Sequence, residues 1–432
     1  MLVRMPAAAV VALLVGVFTA LTCAQGTPAF VVAHPWAGSG QWLRADLHMH
    51  SRFSDGAQSY AALVAGARAR GCDVVAVADH ADRKLRGASA EHMAALTTAR
   101  AAHPGLVIIA GLEWNIPPWG GEEHATVLVP DTPDEGAVLA EFKRQWDDFD
   151  LAGAPKPVAG EALAWLATET RGAPVKPVVV YNHPSRADAA SVENVDDIRG
   201  WRAVNDLVIG FEAGPGHQGA NPLASYKYKE RPIDRWDPVA ARPGDGWDQL
   251  LARGLNVHAA MASSDFHNDN PKDLNDFWPC QFSETWIYAP DRSVTGVLRA
   301  LRAGTFVGVH GRVGRSIELT VEAAGLARPA MPGEHVRLPS ARTVTARLNA
   351  DVPALDWQDQ PNQLDAIEFI VTTAAGTVVR VRPVSGVGAI SASEPIAVPA
   401  SGAVVRARGR RIVPDGPDLL FYTNAIRVSV GK

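Results

Sequence analysis

The sequence predicts an α/β domain followed by a smaller antiparallel β domain, and three observations carry that reading. Apolar strand-like runs alternate with helical stretches from residue 43 to about residue 312, as expected of a parallel α/β barrel or an open parallel sheet. From about Ser316 helical periodicity gives way to short alternating runs at 317–321, 344–348, 366–371 and 378–381. These are separated by Gly, Pro and Asp, as in a β-sandwich. At 432 residues the chain also exceeds the usual size of one small domain. The expected division is 1–24 as an export signal, 25–314 as the α/β domain and 315–432 as the β domain.

Arg4, an apolar run over 7–20 and small residues around Thr22 and Ala24 have the layout of a secretory signal peptide cleaved near Ala24. The apolar run is short for a bilayer span, and no later segment is long and apolar enough to cross one. Export to a periplasm or beyond the cell permits a disulfide between Cys72 and Cys280. Both lie in or beside apolar segments, however, where cysteine packs as a small core residue, and core packing is the expectation. A formal net charge of -5 and the lack of a basic block argue against nucleic acid as the main partner and for a small-molecule substrate. Oligomeric state leaves no mark in the sequence.

In chain order, 59–70 has helical spacing and stops at Gly71, a residue that tolerates a left-handed helix end. A buried strand over 73–78 ends in Asp79-His80. A helix at 89–102 precedes a strand over 106–112 that ends in Glu113. After a loop rich in Trp, Pro and Gly, the strand 124–129 carries its polar residue, His124, at its start instead of its end. Helices at 135–148 and 161–170 look like a crossover or an insertion. The strand 178–181 ends in Asn182-His183-Pro184, and 207–211 ends in Glu212. Residues 214–245 read as a long loop or lid. A strand over 257–264 then ends in Asp265-Phe266-His267, and a strand at 284–288 with a helix at 294–302 closes the domain.

The chemistry begins at Asp46-Leu47-His48-Met49-His50 and continues to Asp55-Gly56. Side chains alternate along a strand, so His48 and His50 face the same way and can grip one ion, with Asp55 returning after a turn. His48, His50, His80, Glu113, His183, Asp265 and His267 all close apolar runs, and in α/β folds the carboxyl ends of strands carry the active site. A single strand-end histidine is more often structural, but the joint pattern points to metal. His34, His92, His103, His258, His310 and His335 lack this placement and read as surface or structural histidines. Imidazoles and carboxylates without thiolate suit zinc, manganese or iron. With Asp55 and His124 the donors exceed what one ion takes, so two or three divalent ions with Glu113 or Asp265 bridging fit the count, as in phosphoester-hydrolysing centres.

The order His48-x-His50, Asp55, Asp79-His80, Glu113, His124, Asn182-His183-Pro184, Asp265-x-His267 resembles the polymerase-and-histidinol-phosphatase (PHP) family of metal-dependent phosphoesterases, over roughly 43–312. The resemblance implies a distorted (β/α)7 barrel with a trinuclear site. In it His48, His50, Glu113 and Asp265 hold one ion, Glu113, His124 and His183 a second, and Asp55, His80 and His267 a third. Some members carry histidine in place of Asp55. The export signal, the Trp-containing lead-in, Pro215-Gly216-His217-Gln218 and the carboxyl-terminal β domain look like the CehA/McbA (carbaryl-hydrolase) group within that family, some of which cleave aryl carbamates.

The expected activity is hydrolysis of a phosphate ester by metal-activated water, with Glu113, Asp265 and His217 as catalytic residues. Arg52, Lys84 and Arg186 stand beside ligand motifs and are candidates to hold the phosphate; His217 or Glu212 would protonate the leaving group or shape the pocket. The alternative is carboxyl- or carbamate-ester hydrolysis at the same metals, and a third is a non-catalytic periplasmic metal- or ligand-binding protein.

Overall fold

The computed structural model describes residues 26–82, 84–119, 121, 123–147, 158–185, 191–217, 232–268 and 276–431, with 191–195 described by their backbone. The expected export signal, Arg186 and Gln218 lie outside these residues. No described helix is long and apolar enough to cross a membrane.

The lead-in forms β1 (Ala29–Val32), followed by β2 (Gln41–Asp46), α1 (Tyr60–Ala69), β3 (Val74–Val77), α2 (Ala90–Ala102), β4 (Val107–Asn115) and β5 (His124–Val129). Next come α3 (Glu135–Trp146), α4 (Val158–Glu169), β6 (Val178–Tyr181), α5 (Ser191–Val204) and β7 (Val208–Phe211). Then α6 (Pro238–Ala241), α7 (Gly246–Ala252), β8 (Ser283–Ala289), α8 (Val294–Ala303) and β9 (Phe306–His310) complete the mixed part. Local chemistry sets several of these ends. Ser59, Ser89 and Ser293 cap α1, α2 and α8 by accepting from backbone amides of the first turn. Gly304, at φ 77°, ends α8 in the left-handed conformation. The sequence did not announce α5, α6 or α7; α6 falls inside the stretch expected to be a loop.

The central sheet runs β9-β8-β2-β3-β4-β5-β6-β7. The expected parallel order holds for β2/β3, β3/β4 and β6/β7, but β5 is antiparallel to both β4 and β6. The sheet is thus mixed, and the reversal brings the start of β5 to the edge where its neighbours end. That is why His124 opens its strand.

Among the described residues the sheet forms no closed ladder. Residues 257–264, expected to be a strand, make isolated bridges, Gly210 with His258 and Gly214 with Ala262, on the β7 side; just beyond them Phe266 bridges Met49, after β2. The Met261 amide donates back to the Ala259 carbonyl at 2.8 Å, a turn that takes both groups out of any ladder. At Gly216 the backbone runs so close to residue 264 that a Cβ would lie 1.7 Å from the Ser264 carbonyl oxygen.

The carboxyl-terminal part consists of β10 (Arg315–Glu322), β11 (His335–Leu338), β12 (Arg342–Val352), β13 (Leu364–Thr373), β14 (Gly376–Gly386), β15 (Gly388–Val398), β16 (Ala403–Arg411), β17 (Leu419–Thr423) and β18 (Ile426–Val430). β10, β12 and β15 form a three-stranded antiparallel sheet. The remaining strands continue the large sheet, because β17 pairs antiparallel with β9. Leu319, Leu348, Ile396, Phe369, Val405 and Phe421 share one buried cluster drawn from both sheets. Buried Arg406 and Asn424 are among the groups that tie this part to the α/β part. Arg406 makes a bidentate pair with Asp248 of α7 at 2.8 and 3.0 Å. The Asn424 side chain accepts from the amides of Ala259 and Ala260 and donates to the carbonyls of Gly304 and Phe306.

Cys72 and Cys280 are joined as a disulfide, against the expectation that they pack as separate core residues. Cys72 just precedes β3 and Cys280 just precedes β8, the strands on either side of β2, so the sheet order brings them together.

Candidate metal centre

The ends of β2, β3, β4 and β6, the start of β5 and the bridged segment 257–267 meet at one rim, with the Glu113 carboxylate buried at its middle. Glu113 Oε1 lies 3.1 Å from His48 Nε2, 3.1 Å from His124 Nδ1 and 3.5 Å from His183 Nε2. Its Oε2 lies 2.9 Å from His80 Nδ1 and 3.4 Å from His50 Nε2. Asp265 Oδ1 stands 3.2 Å from His48 Nε2 and 3.1 Å from His50 Nε2. To one side, half-exposed Asp55 meets His267 Nε2 at 3.4 Å and His80 Nε2 at 3.6 Å.

These contacts suit a cation better than shared protons. His48 Nε2 and His50 Nε2 face each other at 3.2 Å, and both also face carboxylates. The buried Nδ1 atoms of His80 and His124 approach Glu113 without making a hydrogen bond. Among the described residues, ligand atoms gather within 4.8 Å of one another in four groups: His50, Asp55, His80 and His267; His48, His50 and Asp265; His80, Glu113 and His124; and His217, His267 and Asp276. Imidazole and carboxylate donors at this spacing fit divalent ions.

Other side chains aim these donors. Glu212 Oε1 sits 3.4 Å from His48 Nδ1, which leaves Nε2 for the rim, and the Ser263 hydroxyl donates to the same Glu212 oxygen. His124 Nε2 is 2.8 Å from the Gly121 carbonyl and His267 Nδ1 is 2.9 Å from the Asp265 carbonyl; each contact turns the opposite nitrogen inward. Asn182 Nδ2 donates to Glu113 at 2.8 Å. Asp79 accepts from the Ser51 amide and from the hydroxyls of Ser51 and Ser54, which shapes the turn to Asp55, and His92 Nε2 lies 3.3 Å behind it. In that turn a Cβ on Gly56 would meet the His50 carbonyl at 2.1 Å. His183, Asp265 and His217 have φ of 30°, 44° and 49°, a region costly for residues with a Cβ and frequent at functional sites.

Burial alone would push the buried carboxylates up and the imidazoles down, but the cluster overrides this for most of them. The imidazoles hold Glu113 and Asp265 well below the usual carboxylate range. Against the same burial, Asp265, Glu113 and Glu212 raise His48 well above its usual value, and Asp55 with Asp265 raises His267 to about 9. Burial, with His267 and His80 adding positive charge, drives His50 down to about 4 and keeps its lone pair free.

The remaining sequence candidates stand farther out. His217 is part-exposed, with Nδ1 3.2 Å from both oxygens of Asp276 and its ring 4.1 Å from that of His267. Arg52 is exposed, and its Nε donates to the Ala57 carbonyl in its own loop. Lys84 is exposed. Asp79 and Asn182 lie within the sequence motifs, each beside a ligand candidate, and Glu212 ends its strand as the ligand candidates do. Asp276 sits in no patterned run and carried no signal.

Residues 46–156 match the PHP domain. The match takes in His48, His50, Asp55, His80, Glu113 and His124 and covers a minority of the chain. No curated protein matches. Among solved structures, the chain is similar to a two-domain protein from Bacteroides vulgatus containing a predicted PHP-like metal-dependent phosphoesterase. That likeness has 16% identity and a TM-score of 0.41, covering 89% of this chain and 95% of the other. It is similar to an amidohydrolase from Chromobacterium violaceum with bound sulfate and no metal, at 20% identity and a TM-score of 0.30, covering 54% and 89%. A Bifidobacterium adolescentis protein described as a metal-dependent phosphoesterase gives 19% identity and a TM-score of 0.28, covering 54% and 92%.

Proposed function

We propose that this chain is an exported metal-dependent phosphoesterase acting on a small-molecule ester, with two or three zinc, manganese or iron ions at the Glu113 rim. The observation that carries the reading is the Glu113 carboxylate set among the ring nitrogens of His48, His50, His80, His124 and His183, with Asp265 and Asp55 at its flanks. In this reading His48, His50, Glu113 and Asp265 would hold one ion, Glu113, His124 and His183 a second, and Asp55, His80 and His267 a third. Bound there, divalent ions supply Lewis acidity that polarises the ester and makes water nucleophilic near neutral pH. Glu113 and Asp265 stay ionised and fix the geometry. With its Nδ1 on Asp276, His217 keeps Nε2 to deliver a proton to the leaving group. Arg52, Lys84 and Arg186 offset the phosphate charge.

The same reading treats β2 to β7 plus residues 257–266 as a distorted seven-membered barrel wall, closed by isolated bridges in place of a ladder. It keeps the division at 24 and 314 and the CehA/McbA-type placement. The test is turnover of nitrophenyl phosphate, bis-nitrophenyl phosphate and naphthyl carbamate by metal-loaded protein. Phosphate-ester turnover that stops on chelation supports the proposal; turnover of the carbamate alone ends it.

A further inference from the structure

A cavity of about 350 Å³ lies apart from the Glu113 rim, where loops of the carboxyl-terminal β part meet the α/β part. One wall is aromatic: Phe277 and Phe282 stack at 4.5 Å with the Arg235 guanidinium over both rings, and part-exposed Trp357 stands edge-on to them at 4.9 and 5.2 Å. The turn that carries Trp357 is built by Asp356. Its Oδ1 accepts from the amides of Gln358 and Gln360, and its Oδ2 accepts from Arg411 at 2.8 Å, so the tight turn offers two exposed glutamine side chains to the opening. The lining charges balance, with Arg235 and Arg411 against Asp356 and Asp415. A charged ligand gains little from such a lining.

A part-exposed Trp357 ring beside two exposed neutral amides, in a lining with no net charge, describes a receptor for a molecule that is flat, uncharged and polar along its edges. A sugar ring has this form: its C–H face packs on aromatic rings and its hydroxyls bond to planar amides and carboxylates. We infer that this cavity is a binding site for a neutral saccharide ring, built jointly by the two parts of the chain. Arg235 and Phe277 also border the narrow space next to Gly216, His217 and Asp276, so an occupant would rest on side chains that also line the space beside His217. The inference does not depend on which ester the rim hydrolyses.

Saturation-transfer NMR on the full chain tests it, using glucose, galactose and N-acetylglucosamine as probes and adenosine as a neutral, flat comparison. At least one of the sugars is expected to bind, and Trp357→Ala or Gln360→Ala to weaken it about tenfold. Gln360 is exposed, so its variant also serves if loss of Trp357 disturbs packing. Absence of sugar binding at tens of millimolar, sugar binding that neither substitution weakens, or binding of adenosine alone would each overturn the inference.

Discussion

Glu212 shows how one buried side chain governs another at this rim. Its carboxylate meets His48 Nδ1 and takes the Ser263 hydroxyl, so the His48 ring is locked with Nε2 toward Glu113 and Asp265. Removing such a partner ordinarily weakens metal binding ten- to a hundred-fold. Glu212→Ala is therefore expected to raise the metal dissociation constant by about that factor, read by competition with a chromogenic chelator; unchanged affinity would remove Glu212 from the account. His258 gives a separate pH signature. Burial, with Arg202 adding positive charge, pushes it down to about 3, so the folded chain refuses a proton that the unfolded chain accepts below about 6.5. Its contribution to stability is complete above pH 6.5 and is lost as pH falls toward 3, by at most about 1.4 kcal/mol per pH unit. His258→Gln should flatten the denaturation free energy over that window, and an unaltered slope would contradict the assignment. At this scale the sequence was informative about residues whose type is their chemistry, such as His48, His50 and Glu113. It was silent about Asp276, whose role exists only because the fold sets it beside His217 and the amides of His267 and Asn268.

Among the elements, β5 and the segment 257–267 depart most from the sequence reading. Apolar content located both, but neither direction nor continuity can be read from an apolar run. β5 is antiparallel because its chain returns directly from the end of β4, and 257–264 breaks because Ala259 bonds within its own turn and to Asn424. The helices α6 and α7 were missed because they are short and follow a stretch rich in Gly and Pro. The disulfide belongs here too, because Cys72 and Cys280 are 208 residues apart and only the adjacency of β3, β2 and β8 makes them neighbours. Closing so long a loop is worth about 2–5 kcal/mol. A Cys72→Ser, Cys280→Ser double variant should lose that much in denaturant unfolding, with the Glu113 rim still formed; a loss within error would mean that the bridge constrains nothing.

Over the whole molecule, the β part is continuous with the sheet that carries the rim. β17 extends β9, Arg406 is buried against Asp248, and Asn424 holds the residues leading to Asp265 and His267. The change in texture near Ser316 was legible because helical periodicity stops there. The sharing of one sheet across that point was not, because strand pairing over a hundred residues leaves no periodic trace. The central claim is that this frame exists to hold several divalent ions around Glu113. Its most direct test is the metal content of the full chain after reconstitution with zinc or manganese, measured by plasma mass spectrometry beside a Glu113→Gln variant that keeps the native circular dichroism. The account predicts two or three ions per chain in the native protein and the loss of at least one in the variant. Fewer than two ions in the native protein, or equal content in both, would contradict it.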